Sequence, residues 1–107
     1  MLIKQIYDFL DNLSPFSTQE TWDNSGLVVG NMSDSFDNVY VSLDLDLDLV
    51  NKINANALII THHHLIFKPL KNINYTCYST KILQVLIQKN IKLISLHTNF
   101  DKSHLNE

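Results

Sequence analysis

The apolar run Ala57-Leu58-Ile59-Ile60 ends in Thr61 and three consecutive histidines, His62, His63 and His64. A short continuous apolar run bounded by polar residues reads as a buried strand, and the rest of the chain has to supply the layers that cover it. The histidines then stand at the strand's carboxyl end. Imidazole is the commonest protein ligand for transition metals, and the chain holds only five histidines. Three in a row at a strand end point to metal or catalytic chemistry, with a polar turn that binds nothing as the alternative.

The neighbouring segments alternate in type. Ile3, Ile6, Tyr7, Leu10 and Leu13 recur at helical spacing with Lys4, Asp8 and Asp11 between them, which predicts an amphipathic helix stopped near Ser14-Pro15. Ser17-Thr18-Gln19-Glu20 has the spacing of a capping box and predicts a short helical turn. Asp23-Asn24-Ser25-Gly26 reads as a turn, followed by a short strand at Leu27-Val28-Val29. Trp22 reads as a buried corner residue, or as the wall of a pocket. From Asn38 to Leu49 apolar residues alternate strictly with polar ones. We read a strand over 39–44, then a turn through the aspartates, with Asp46 capping a helix that runs to about Asn54. Asp44, Asp46 and Asp48 lack the glycine-bearing loop of a calcium site, so capping and solvation fit them better. Lys68–Thr76 reads as a loop broken at Pro69. Ser79 can cap a helix over Thr80–Lys89, with Asn90 as its left-handed terminator. A strand over Ile91–Leu96 comes next, ending in His97-Thr98-Asn99-Phe100-Asp101.

This order predicts a layered α/β domain over residues 1–107 with a largely parallel or mixed sheet. In such sheets ligands gather beyond the carboxyl ends of strands. Three strand ends deliver ionisable groups to one rim: Asp44 at the first, His62, His63 and His64 at the second, His97 and Asp101 at the third. Imidazoles with a carboxylate suit zinc, manganese, iron or a similar divalent ion. Neighbouring side chains of an extended chain point apart. His62 and His63 therefore serve one ion only if the backbone turns sharply after Thr61; otherwise each faces a different ion of a close pair. A serine–histidine triad built on Ser95 or Ser25 lacks a nucleophile elbow, and Cys77 reads as structural.

Composition closes off other classes. A formal charge of −3 gives no general attraction to nucleic acid or to an anionic membrane. Gly26 and Gly30 are the only glycines, so neither a P-loop nor a dinucleotide fingerprint is present. No apolar run reaches membrane-spanning length, and a single cysteine fits a reducing, cytoplasmic compartment.

Four segments in order carry a resemblance: Trp22-Asp23-Asn24-Ser25-Gly26-Leu27 with Gly30, Ser42-Leu43-Asp44, Thr61-His62-His63-His64-Leu65-Ile66-Phe67, and His97-Thr98-Asn99-Phe100-Asp101. Together they resemble the GTP cyclohydrolase type 2-like proteins, also called the NGG-interacting-factor-like family. The resemblance covers essentially the whole chain, and the combination is far more specific than a bare histidine pair. It implies two divalent metal ions (zinc, manganese or iron) in a toroidal homohexamer. Opening of the guanine imidazole ring of GTP with release of formate is the implied reaction. The family's paired histidine ligands match His62 and His63, and its first metal-binding aspartate matches Asp101. His97, Asp44 and Asn24 match positions that line the same cavity, where His97 could shuttle a proton or orient a ligand from behind. His64 stands where the family commonly has proline, as an extra polar group in the cavity or a substituted turn residue. The family's remaining ligands, a His and a Glu, lie near the end of a longer chain, and His104 and Glu107 come too early to be that pair. The resemblance thus implies the N-terminal part of a family member, with a non-catalytic metal-binding scaffold or regulatory protein as the alternative function.

Overall fold

The computed structural model describes residues 1–66 and 70–105. Phe67 of the histidine motif, Lys68 and Pro69 of the adjoining loop, Glu107 and the His104 side chain lie outside that description.

Four strands form one sheet: β1 (Gly26–Val29), β2 (Asn38–Ser42), β3 (Ala57–Thr61) and β4 (Lys92–Ser95), in the spatial order β1-β4-β3-β2. β2, β3 and β4 are parallel, whereas β1 pairs antiparallel with β4. The sheet is therefore mixed. The antiparallel edge brings the start of β1 to the end of the sheet where the other three strands finish. Ser42, Thr61 and Ser95 are register neighbours there, and Gly26 pairs with Ser95.

Both faces are covered, which is why β3 carries no polar alternation. All five of its residues are buried. On one face Ala57, Ile59 and Leu93 pack with Val50 of helix α2 (Leu47–Lys52) and with Ile82 and Leu86 of helix α3 (Tyr78–Gln88). On the other, Leu58, Ile60 and Ile94 pack with Ile3 of helix α1 (Ile3–Leu13) and with Phe16. Each fully buried Leu or Ile contributes roughly 1.5–3 kcal/mol through removal of apolar surface from water. Ile6, Tyr7 and Leu10 complete the α1 contact, while Leu13, expected on the same face, is half-exposed at the helix end.

Element ends show where side chains override pattern. Asp46 caps α2 as its spacing predicts, accepting from Leu49 N at 2.7 Å. The helix stops at Lys52, two residues short of Asn54. Lys89 Nζ reaches its last turn and donates to the carbonyls of Val50 (2.8 Å), Asn51 (3.3 Å) and Ile53, offsetting acceptors a helix end leaves unpaired. α3 starts at Tyr78 rather than Thr80: Cys77 is at the cap, and the Thr80 hydroxyl donates back to Asn74 O and Cys77 O. Asn90 takes the left-handed conformation expected of it, with φ +53°. The short turn falls at Phe16–Thr18, ahead of the expected Ser17–Glu20, where Thr18 Oγ1 donates to Pro15 O. At the opposite end of the sheet from the histidines, Lys92 is buried with its Nζ on Ser35 O and Asn56 Oδ1. Gly30, at φ +115°, leaves room for that side chain. No helix among the described residues is long and apolar enough to cross a membrane.

Candidate metal centre

Beyond the strand ends the backbone keeps the rim together. His63 N donates to Leu43 O (3.0 Å) and Leu96 N to Thr61 O (2.9 Å). The chain bends directly after Thr61, whose Oγ1 bonds His63 O at 3.1 Å and Ser95 Oγ at 3.2 Å. This bend, rather than continued extension, puts the His62 and His63 rings side by side, with centroids 5.2 Å apart. The His97 ring lies 5.2 Å from that of His62 and 6.4 Å from that of His63.

The hydrogen bonds decide which ring nitrogen each histidine offers. His62 Nδ1 lies 2.8 Å from Leu96 O. A carbonyl only accepts, so Nδ1 carries the proton and the Nε2 lone pair is left for an electrophile. His63 Nδ1 lies 2.5 Å from Asp44 Oδ1 and His97 Nδ1 3.3 Å from Asp23 Oδ2. The same reasoning holds for both, because a carboxylate is also acceptor only. Three neighbouring imidazoles thus hold Nδ1 on the protein and present Nε2, the arrangement by which outer partners orient metal-binding histidines.

Asp101 Oδ1 lies 3.5 Å from His62 Nε2, with both side chains about a quarter exposed. Two ligand atoms each about 2.1 Å from a tetrahedral ion stand about 3.4 Å apart. The spacing and the donor set, imidazole nitrogen with carboxylate oxygen, therefore fit a divalent ion between them. The Asp101 backbone is placed by a helical turn, α4 (Thr98–Phe100), with Asp101 N donating to His97 O at 3.1 Å.

His64 turns the other way. Its side chain is almost fully buried, and its Nε2 donates to Asp23 Oδ1. The Asp23 side chain has no exposed surface, and Asp23 is the residue that sequence reasoning missed. Its Oδ1 also accepts from Asn24 N (2.9 Å), and its Oδ2 from Thr98 N (3.0 Å) and Thr98 Oγ1 (2.5 Å). Burial alone would raise the Asp23 carboxyl, but the hydrogen bonds from Thr98, His64 and Asn24 prevail and hold it well below the usual carboxylate range. Asp23, His64 and His97 each place one ligand atom within 4.8 Å of the others', the one such group of three among the described residues; His62, His63 and Asp101 do not converge that closely, and of these only the His62–Asp101 pair is in contact. The signal for Asp23 was available: an aspartate just ahead of a strand reaches this rim if that strand runs antiparallel.

The remaining expected residues take varied places around this rim. Asn24 Nδ2 donates to Ile66 O at 2.7 Å, tying the β1 entry to the histidine loop. Asp44 is exposed and engaged with His63. Trp22 is not a buried corner: it is 58% exposed, with its ring edge-on to His97 at 6.2 Å. Ser25 Oγ accepts from the His97 backbone N–H and Ser95 Oγ pairs with Thr61 Oγ1, so neither makes a serine–histidine pair through an imidazole nitrogen. Cys77 is exposed. A cleft of about 280 Å³ opens beside His62, walled by Val41, Leu43, Ile60, Leu96 and Phe100.

Comparison with known proteins matches all of residues 1–107 to one family, described as Duf34/NIF3 (NGG1p interacting factor 3). A Helicobacter pylori protein named GTP cyclohydrolase 1 type 2 is 53% identical over 106 residues, covering 99% of this chain and 44% of the relative. A Campylobacter jejuni protein named GTP cyclohydrolase 1 type 2 homolog is 50% identical over the same shares. The crystal structure of Staphylococcus aureus protein SA1388 superposes with a TM-score of 0.84 at 40% identity, over 94% of this chain and 33% of that one. The chain thus spans less than half the length of the relatives it matches.

Proposed function

Because the chain belongs to the Duf34/NIF3 family, we propose that it supplies the histidine-rich part of a divalent-metal hydrolase centre of the GTP cyclohydrolase type. The carrying observation is the common tautomer of His62 and His63. Each Nδ1–H is anchored, to Leu96 O and to Asp44, which leaves each Nε2 for a metal, and His62 Nε2 lies 3.5 Å from Asp101 Oδ1. His62, His63 and Asp101 would hold zinc, manganese or iron, and two such ions would need further ligands from beyond these three. A divalent ion supplies a water whose pKa is lowered towards ~7, and so a nucleophile at neutral pH.

The chain's own residues then do three things. Leu96 O and Asp44 keep the ligand rings from rotating. His97, with Nδ1 protonated and Nε2 open, takes a proton from the attacking water and returns it to a departing ring nitrogen of the substrate. The apolar walls of the cleft beside His62 offer packing surface to one side of the reacting group. One water adds to the guanine carbon between the two imidazole nitrogens and breaks one carbon–nitrogen bond, opening the ring to a formamide; a second water cleaves the remaining carbon–nitrogen bond, so that formate leaves and both nitrogens remain on the product as N–H groups. The names of the Helicobacter and Campylobacter relatives support this substrate.

The test is consumption of GTP and release of formate by the full-length protein with manganese, iron or zinc, beside elemental analysis of freshly purified protein. Both products with bound metal support the proposal, and His63→Ala should lose the metal where His64→Ala keeps it. Bound metal without turnover would instead favour a metal-binding scaffold or regulator. We place the homohexamer and a cytoplasmic location with the same proposal, as what the resemblance implies.

A further inference from the structure

The two possible ion groups at this rim are not equivalent, and the buried carboxylate explains why. We infer that Asp23 is a positioning residue: one carboxylate fixes the tautomers of His64 and His97 through separate oxygens. It thereby presents His97 Nε2 beside the ligand rings and keeps Asp23, His64 and His97 from acting as an ion site themselves. The task given to His97 rests on the proposed hydrolase reading; the tautomers and the absence of metal from the trio do not.

The oxygens of Asp23 are committed to protons. Oδ1 takes Asn24 N–H and His64 Nε2; Oδ2 takes Thr98 N–H, Thr98 Oγ1, His97 Nδ1 and, at 3.4 Å, Ser25 Oγ. Two of these donors are backbone N–H groups, one on each oxygen, and a backbone donor cannot reverse its polarity. An ion bound by Asp23 would have to displace such donors around a carboxylate with no exposed surface, leaving N–H groups without a partner. The His62–Asp101 pair carries no such commitment: among the described residues, no backbone donor takes His62 Nε2 or Asp101 Oδ1. The trio is therefore a proton-filled network standing behind the ion site.

The same geometry says why the anchor is Asp and not Asn. With one backbone N–H on each oxygen, either orientation of an amide would press its NH2 group against a backbone N–H. The carboxylate also spans three segments at once. Asp23 precedes β1, His64 follows β3, and His97 and Thr98 follow β4. A single group therefore sets the relative positions of the loops that carry His62, His63 and Asp101.

Ring-nitrogen NMR of ¹⁵N-histidine-labelled protein tests this, because protonated, free and metal-bound imidazole nitrogens resonate apart. In the wild type without metal, His97 should show a protonated Nδ1 and an unprotonated Nε2, and His64 a protonated Nε2. The reverse tautomer at either residue would overturn the inference without any variant. On adding zinc, the His64 and His97 tautomer signatures should persist while His62 and His63 Nε2 shift. Loss of the His64 Nε2 proton in favour of metal-bound nitrogen would overturn it, because the trio would then be an ion site. If His62 and His63 do not shift while the His64 and His97 tautomers hold, the inference stands and only the hydrolase reading fails. In Asp23→Asn, His97 should move to the averaged signals of a ring exchanging between tautomers, with His62, anchored on Leu96 O, unchanged. Thr98→Val, which keeps the carboxylate, should leave His97 in its wild-type tautomer; a Thr98→Val protein with the Asp23→Asn signature would overturn the assignment to the carboxylate.

Discussion

Replacing Asp44 by Ala separates ligand orientation from fold stability. Asp44 touches the centre through one contact, Oδ1 on His63 Nδ1 at 2.5 Å, and both side chains are about half-exposed. Its backbone contacts survive the change: Ser42 Oγ still donates to the residue-44 carbonyl and His63 N to Leu43 O. Loss of an outer partner of a metal-binding histidine typically weakens metal binding 10–100-fold. Water reaches His63 and can take over Nδ1–H, so the low end applies, about 10-fold or about 1.4 kcal/mol. An exposed ion pair contributes only about 0–1 kcal/mol to folding, so the urea midpoint of the metal-free protein should barely move. Zinc competition against a chromophoric chelator reads the affinity, and urea titration of the same samples reads the stability. Unchanged zinc affinity in Asp44→Ala, with His63→Ala impaired, would refute orientation through Nδ1. A large drop in metal-free stability would show that Asp44 holds the fold rather than the ligand.

His62→Ala removes a proposed ligand outright and should weaken zinc binding well beyond the effect of Asp44→Ala in the same competition assay. Gly30→Ala places a Cβ 2.6 Å from Lys92 Cγ at a φ of +115°, so we expect a loss of about 1 kcal/mol or more in urea unfolding, with zinc affinity unchanged. Leu86→Ala, in the fully buried core between α3 and the sheet, should cost about 2–5 kcal/mol by the same measurement. The folded-state carboxyl of Asp23 is held below its ordinary 3.8. Its contribution is therefore fully present above that pH and lost as pH falls through the lowered value. The stability gap between the wild type and Asp23→Asn, both metal-free, should be constant from pH 6 to 5 and shrink below pH 4.

Where local chemistry was sufficient, the chain was readable. The Ala57–Thr61 strand stands out because burial on both faces leaves only apolar residues, and Asp46 because its side chain reaches a donor three residues on. Asn90 is legible for the same reason, being a residue that tolerates a left-handed backbone. The start of α3 was not, since the hydroxyl of Thr80 works backwards onto Asn74 and Cys77 instead of Ser79 working forwards. Trp22 and Asp23 were misjudged together. Their turn sits before a strand whose direction only the sheet reveals, and with that strand antiparallel the pair moves from a corner to the rim. The bend after Thr61, which brings the His62 and His63 rings within 5.2 Å of each other, depends on Thr61 bonding His63 O and on Leu43 O receiving His63 N. Such contacts across strands have no signature in a local window.

The antiparallel edge strand also gives this domain a timetable. The His63–Asp44 contact joins residues 19 apart and the His62–Leu96 contact residues 34 apart, whereas Asp23 meets Thr98 across 75. Loop closure is slower and costlier in entropy the longer the loop. The parallel core can assemble by successive short crossovers while the first third of the chain waits for β4. By that argument the rim is expected to close last, when β1 docks and Asp23 meets Thr98. A ligand that binds only the finished rim acts on that last equilibrium, drawing it forward by mass action. Metal supply would then govern how completely the chain folds as well as what it can do.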